Sequence, residues 1–156
     1  MQLIVAAIGH RMPAWVQTAW MEYQRRFSGG LSLQLKEIPL ARRAPGADVV
    51  PLRQREGDTL IARVPPGFRV VALDERGRQW STLELAGQMR QWMQFERGVC
   101  FLVGGPDGLP DTCRTQADEL WSLSRLTLPH PLVRVVLAEQ LYRAWTVTQN
   151  HPYHRS

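Results

Sequence analysis

Two short runs, Leu3–Ile8 (Leu-Ile-Val-Ala-Ala-Ile) and Val99–Val103 (Val-Cys-Phe-Leu-Val), are apolar at every position. Side chains alternate between the two faces of a strand, so a strand apolar throughout must be covered on both faces. A parallel sheet held between two helical layers meets that requirement. The first run, read from Gln2, ends at Gly9, and Pro13 then opens a helix at a position where proline is tolerated. Val16, Trp20, Tyr23 and Phe27 follow at helical spacing until Gly29-Gly30 stops the pattern. Leu31–Leu35 alternates apolar and polar, as a half-buried strand does. Asp48 is placed to cap a helix running towards Ala62, with Pro51 confined to its first turn. Arg69–Leu73 reads as a third strand, and Ser81 and Glu84 form an S-x-x-E capping box ahead of Leu85, Met89, Trp92 and Met93. Val99–Val103 is then the fourth strand and Leu120–Leu123 the fifth. A last helix follows Leu128-Pro129-His130-Pro131, with Val133, Leu137, Leu141, Ala144 and Val147 on one face. The alternation predicts an α/β fold, a mainly parallel sheet with helices on both faces, as a single domain over residues 1–156. The least patterned stretch, Pro39–Ala47 with Arg42, Arg43 and Pro45, is expected to be a mobile surface loop.

Composition narrows the function. The chain of 156 residues carries 19 Lys plus Arg against 14 Asp plus Glu, a net charge of +5, and Lys36 is its only lysine. Arginine forks onto phosphate and stacks on bases, so this excess suggests a polyanionic partner, although a genome-wide codon bias would give the same count. Cys100 and Cys113 are too few and too far apart for a zinc ribbon or a redox CxxC, and Cys100 sits inside an apolar run as a core thiol. Leu3–Ile8 is too short for a signal segment, and no run approaches the roughly 18 apolar residues of a membrane span. The chain reads as soluble and cytoplasmic, with no membrane partner.

Three segments carry chemistry. Gly104-Gly105-Pro106-Asp107-Gly108 follows the fourth strand, where parallel sheets bind ligands at their carboxyl ends. The glycines serve either a ligand or a plain tight turn. The segment is neither G-x-G-x-x-G nor a P-loop, which disfavours a nicotinamide enzyme or an NTPase. Leu123–Pro131 alternates hydroxyls with leucines and flanks His130 with prolines, so it serves either as a ligand wrap or as an edge strand leading into a helix. The tail Asn150-His151-Pro152-Tyr153-His154-Arg155 holds two of the four histidines. Tyr153 can stack on a base, His154 can exchange a proton, and Arg155 can meet phosphate; a frayed terminus is the alternative. His151 and His154 have no carboxylate or thiol beside them, so no metal is expected. There is no G-x-S-x-G elbow, H-E-x-x-H or plausible carboxylate pair, so hydrolysis lacks machinery. Asp74, Glu75 and Asp107 read as solvated loop carboxylates. Group transfer from an activated cosubstrate asks less of the protein.

Several motifs together resemble one family. Met12-Pro13-Ala14-Trp15-Val16-Gln17, Leu73-Asp74, Val103-Gly104-Gly105-Pro106, Trp121-Ser122-Leu123-Ser124 and Leu126-Thr127-Leu128-Pro129-His130-Pro131-Leu132-Val133-Arg134 are similar to the bacterial ribosomal RNA large subunit methyltransferase H family of SPOUT methyltransferases. So are Leu141-Tyr142-Arg143-Ala144-Trp145 and the tail from Asn150 to Arg155, so the likeness runs end to end. It implies a SPOUT α/β fold with a trefoil knot at the carboxyl end. It also implies a homodimer that methylates N3 of a pseudouridine in a 23S rRNA stem-loop on the assembled ribosome, with S-adenosylmethionine as methyl donor. By the same resemblance the cofactor meets Leu73, Gly104, Leu123, Ser124, Arg125, Leu126, Thr127 and Leu128. Tyr153, His154 and Arg155 are the expected catalytic residues. Tyr142 and Arg143, read as lying off the apolar stripe of the last helix, are expected either at the substrate RNA or in a dimer interface. Asp107 stands where relatives often carry glutamate. An RNA-binding module of the same fold without transfer activity is the alternative, and cofactor binding separates the two.

Overall fold

The computed structural model describes residues 1–154. Five parallel strands form one sheet: β1 Gln2–Ile8, β2 Ser32–Ile38, β3 Arg69–Gln79, β4 Gly98–Val103 and β5 Glu119–Ser122, in the spatial order β2-β1-β4-β3-β5. The helices are α1 Ala14–Gln24, α2 Val49–Ala62, α3 Thr82–Phe95, α4 Asp111–Gln116 and α5 His130–Thr148, and a short 3-10 turn covers Pro152–His154.

The two apolar runs are the central strands, and their alternate residues feed two separate cores. Leu3, Val5 and Ala7 of β1, with Val99, Phe101 and Val103 of β4, pack against Trp20, Leu85, Met89, Trp92, Leu137 and Leu141 from α1, α3 and α5. Ile4, Ala6 and Ile8, with Cys100 and Leu102, meet Leu60 of α2 and Cys113 of α4 on the other face. Covering both faces is what an all-apolar strand requires, and burial also pushes both thiols up to about 11, so they remain protonated at neutral pH. The edge strand β2 alternates, with Leu33 buried and its neighbours Ser32 and Gln34 exposed.

Local signals set the helix starts. Asp48 accepts from the Val50 amide at the head of α2, and at α3 the Ser81–Glu84 capping box is complete in both directions. Beyond shifts of a few residues at the ends of β2 and β5, two boundaries and one helix differ from the sequence reading. The first helix ends at Gln24, so Phe27 packs from beyond it, on the rings of Tyr142 and Trp145. The six-residue helix α4 has no apolar period long enough to detect. The third strand does not stop at Leu73: β3 bulges between Leu73 and Arg78 and pairs again with β5. Gly77 permits the second pairing, because a Cβ there would lie 2.5 Å from the carbonyl carbon of Leu120 and from the amide nitrogen of Trp121.

The loop Pro39–Ala47, expected to be mobile, is tied down at Arg43, whose guanidinium reaches Glu56 of α2 and Asp107. A second arginine joins α5 to the sheet. Arg134 is 1% exposed, and its guanidinium donates to the Gly9 carbonyl at 2.7 Å and to Glu37 Oε2 at 2.7 Å, at the carboxyl ends of β1 and β2. Hydrogen bonds from a charged group contribute about 1.5–3 kcal/mol each. Arg134→Met should therefore cost at least about 2 kcal/mol in urea unfolding. Glu37 is 38% exposed, so Glu37→Gln should cost less than about 1 kcal/mol. Equal costs for the two variants would contradict this ranking.

Candidate functional site at the carboxyl edge

Because all strands are parallel, their carboxyl ends share one edge. There the ends of β3, β4 and β5, the turn Gly104–Gly108 and the segment Leu123–Pro129 enclose a cleft of about 900 Å³. Trp121 lines it, backed by Trp80 at 5.1 Å and Phe101 at 6.1 Å, centroid to centroid. The turn is closed by the Gly108 amide donating to the Gly105 carbonyl at 3.0 Å. It admits no side chain at its start, since a Cβ on Gly104 would lie 2.7 Å from the carbonyl carbon of Gly108. The opposite wall leaves the sheet after Ser122, whose hydroxyl donates to the Ser124 carbonyl. The Ser124 hydroxyl in turn accepts from the Leu126 amide at 2.9 Å, an ordering that serine side chains offer to non-helical backbone. Leu126 is left 76% exposed at the rim. A large apolar side chain this exposed beside a polar cleft suits contact with a ligand or partner.

All eight residues expected to meet a cofactor, Leu73, Gly104 and Leu123 through Leu128, line this one cleft. Of the three carboxylates expected to be solvated, Glu75 is exposed, but Asp74 and Asp107 are tied to arginines. Asp74 accepts from Arg114 at 3.0 Å with its side chain only 8% exposed, and Asp107 accepts from Arg43 at 2.7 Å. A carboxylate is detectable in sequence, but its arginine partner, 40 or 64 residues away, is not.

The residues expected at the substrate form a separate cluster. Tyr142 and Arg143 lie at least twelve residues beyond the start of α5, about 18 Å along its axis. Tyr142 is not off the apolar face: it is 6% exposed, in ring contact with Tyr23, Phe27, Trp145 and Tyr153. Aromatic neighbours on α1 and beyond it make a tyrosine core-forming here, which the period of α5 alone does not reveal. Arg143 pairs with Glu139 at 2.5 Å, and its guanidinium sits 5.1 Å from the Tyr153 ring centre. The chain turns into the tail at Asn150, which takes the left-handed φ of 53° that asparagine tolerates. The tail is therefore docked, with the Tyr153 hydroxyl donating to Glu139 at 3.1 Å. Burial first, then the hydrogen bond with Tyr23, raises this phenol above its usual range, so it stays neutral at neutral pH. His154 has a buried Nδ1 with no hydrogen-bond partner. Arg155 lies outside the described residues. Among the described residues no group of three or more His, Cys, Asp or Glu could hold a metal ion.

A parallel open sheet with a ligand-sized cleft at its carboxyl edge, walled by a glycine turn and a non-repetitive segment, is the arrangement in which open α/β sheets bind small molecules. Residues 1–154 match the family described as "Predicted SPOUT methyltransferase", and the chain belongs to that family of methyltransferases. A curated relative from Thioalkalivibrio sulfidiphilus (strain HL-EbGR7), named Ribosomal RNA large subunit methyltransferase H, is 51% identical over 155 residues, covering 99% of each chain. A solved structure described as a probable methylase family protein from Haemophilus influenzae Rd KW20 has a TM-score of 0.55 at 12% identity, over 99% of this chain and 70% of that one. At that identity the second likeness concerns the fold alone.

His130, the first residue of α5 and part of the segment read as a ligand wrap though not among the expected cofactor contacts, also lines the cleft. Desolvation first, and then the charge of Arg134 one turn on, hold its imidazole below the ordinary value of 6.5. Its folded pKa lies under its unfolded pKa, so the unfolded chain binds more protons between the two. The stability contributed by neutral His130 is complete above the unfolded value and is lost as pH falls through the folded one. An NMR titration should place the His130 midpoint below 6.5. Arg134→Met should raise it only part of the way back, because desolvation is the larger cause. A midpoint at or above 6.5 would contradict this.

Proposed function

We propose that the protein transfers a methyl group from S-adenosylmethionine to N3 of a pseudouridine in a 23S rRNA stem-loop. It does so on the assembled ribosome, as a cytoplasmic homodimer. The observation that carries this reading is that Leu73, Gly104 and Leu123–Leu128, distant in sequence, converge on one cleft. That convergence occurs in a chain half-identical, end to end, to a relative named for ribosomal RNA methylation. No helix among the described residues is long and apolar enough to cross a membrane, and the net charge of +5 suits an RNA partner.

The cleft fits the donor. Its volume is of the order that encloses a cofactor-sized ligand. Leu73, Leu123, Leu126 and Leu128 offer apolar walls for a flat base, and the bare backbone of Gly104 permits a close approach. When bound, S-adenosylmethionine supplies a methyl group on a positively charged sulfur, which departs as a neutral thioether. The chain's own residues then have three tasks. Leu123–Leu128 and the glycine turn hold and orient the donor and exclude water. Tyr153 offers a ring against which a base lifted from its stack can rest. His154 accepts the proton that leaves N3, and Arg155 offsets negative charge on the base or holds a phosphate.

Within one protomer the tail packs at the far end of α5 from the cleft, so a second subunit that presents its own tail would complete the site. Tyr142 then acts through Tyr153, which it supports, while Arg143, held by Glu139, flanks that ring and would reach the RNA backbone only with its remaining N–H groups. The carboxyl-terminal trefoil knot belongs to the same proposal.

The test is transfer of labelled methyl to ribosomes from a strain lacking this activity, with the product nucleotide identified by mass spectrometry. One N3-methylated pseudouridine in 23S rRNA is expected. His154→Ala should slow turnover about 100-fold with donor binding intact, and sedimentation should show a dimer. Unlabelled ribosomes with bound donor would overturn the substrate assignment. Full turnover by both His154→Ala and Arg155→Ala would overturn the roles given to the tail.

A further inference from the structure

The glycine turn is held by more than its own hydrogen bond. Beyond the bond between Gly108 and Gly105, its apex residue Asp107 is gripped by two arginines, Arg53 from the lining of the cleft and Arg43 from outside it. The Arg43 Nε donates to Asp107 Oδ2 at 2.7 Å, and Arg53 of α2 donates to the Asp107 carbonyl at 3.4 Å. Arg43 is itself fixed by α2. Its Nη1 donates to Glu56 Oε2 at 3.1 Å and its Nη2 to Glu56 Oε1 at 3.0 Å, a two-pronged fork onto a carboxylate whose side chain is 6% exposed. Nη1 also donates to the Ala41 carbonyl at 2.7 Å, while the Ala41 amide donates back to Glu56 at 3.0 Å. With Nη2 also 2.7 Å from Asp107 Oδ2, all three guanidinium nitrogens face an acceptor. Gly105 is approached both by Leu40 of the same loop and by Ile8 of β1, since a Cβ there would lie 3.3 Å from Leu40 and 2.9 Å from Ile8.

From this geometry we infer that Arg43 is a positioning residue for the methyl donor: it fastens the Gly104–Gly108 turn to α2 and so sets the shape of the cleft it never lines. The inference rests on the donor reading above. The physical reason is economy of contacts on a turn with three glycines. Glycine backbone has more freedom to lose than any other, so the turn is ordered only by what grips it. The buried Glu56 anchors one side of the guanidinium, and the other side passes that fixed position to Asp107. Lysine cannot replace Arg43, because an ammonium lacks the planar fork that meets two carboxylates and a carbonyl at once. The loop Pro39–Ala47 thereby acquires a role as a strap behind the glycine turn.

A double-mutant cycle tests this. Arg43→Lys keeps a cation beside Glu56, whereas Asp107→Ala leaves the Arg43–Glu56 pair whole. Each single variant and their combination would be assayed for donor affinity by calorimetry. Amide exchange at residues 104–108 would be followed with no donor present. Each single change should weaken donor binding about 10-fold. The combination should be no weaker than either, because both act through one contact. Exchange at Gly105 and Gly108 should quicken in the ligand-free variants while the amides of β1 and β4 stay as protected as before. Multiplying effects would mean that Asp107 touches the donor directly and would overturn the positioning role. Unchanged turn exchange in both single variants would overturn it as well. If Arg43→Lys does not fold, Asp107→Ala alone decides through the exchange of the turn. If the unaltered protein binds no donor, the proposed function fails, and the exchange measurement still decides whether Arg43 orders the turn.

Discussion

The whole arrangement depends on burying β1 and β4 on both faces. With alternate residues of each strand assigned to different cores, neither strand tolerates solvent on either side. Helices must cross over both faces, and crossovers of that kind bring successive strands in parallel. Five parallel strands then finish at one edge, where their connecting loops gather. The cleft is thus a consequence of the core. Its residues come from three strand ends because β3, β4 and β5 lie on the same side of β1.

What the core does not supply is rigidity in those loops, and arginine supplies much of it. Arg134 ties the head of α5 to the ends of β1 and β2, Arg114 holds Asp74, and Arg43 holds the glycine turn. Arg69 similarly joins Glu96 and Glu119. A chain whose basic residues are nearly all arginine has many rigid forks with which to make such ties. The same fact qualifies the count of arginines. Several are committed to internal carboxylates, so fewer forks are free to meet phosphate than the count implies, while the net charge of +5 stands because each pair removes one charge of either sign.

Much of this was legible in the sequence, for identifiable reasons. The apolar runs, the capping box at Ser81 and the cap at Asp48 are local signals, and the elements they mark are in place. The glycine turn after β4 and the hydroxyl-leucine segment after β5 stood out because their residue types break regular pairing. The misses are of another kind. The six-residue α4 spans under two turns, and the bulge that extends β3 depends on Gly77 lying against the backbone of β5. The strap at Arg43 depends on contacts 13 and 64 residues away. Tyr142 looked outward by helical period but is enclosed by rings from a distant helix and the tail. Each of these is a tertiary contact without a local sequence signature.

The central claim is that the carboxyl-edge cleft is the methyl-donor site, and the most direct measurement is an NMR titration of the labelled protein with S-adenosylmethionine. The account predicts saturable shifts concentrated at Leu73, Gly104–Gly108 and Leu123–His130, with the amides of β2 unmoved. Shifts centred elsewhere, or none at millimolar donor, would contradict it.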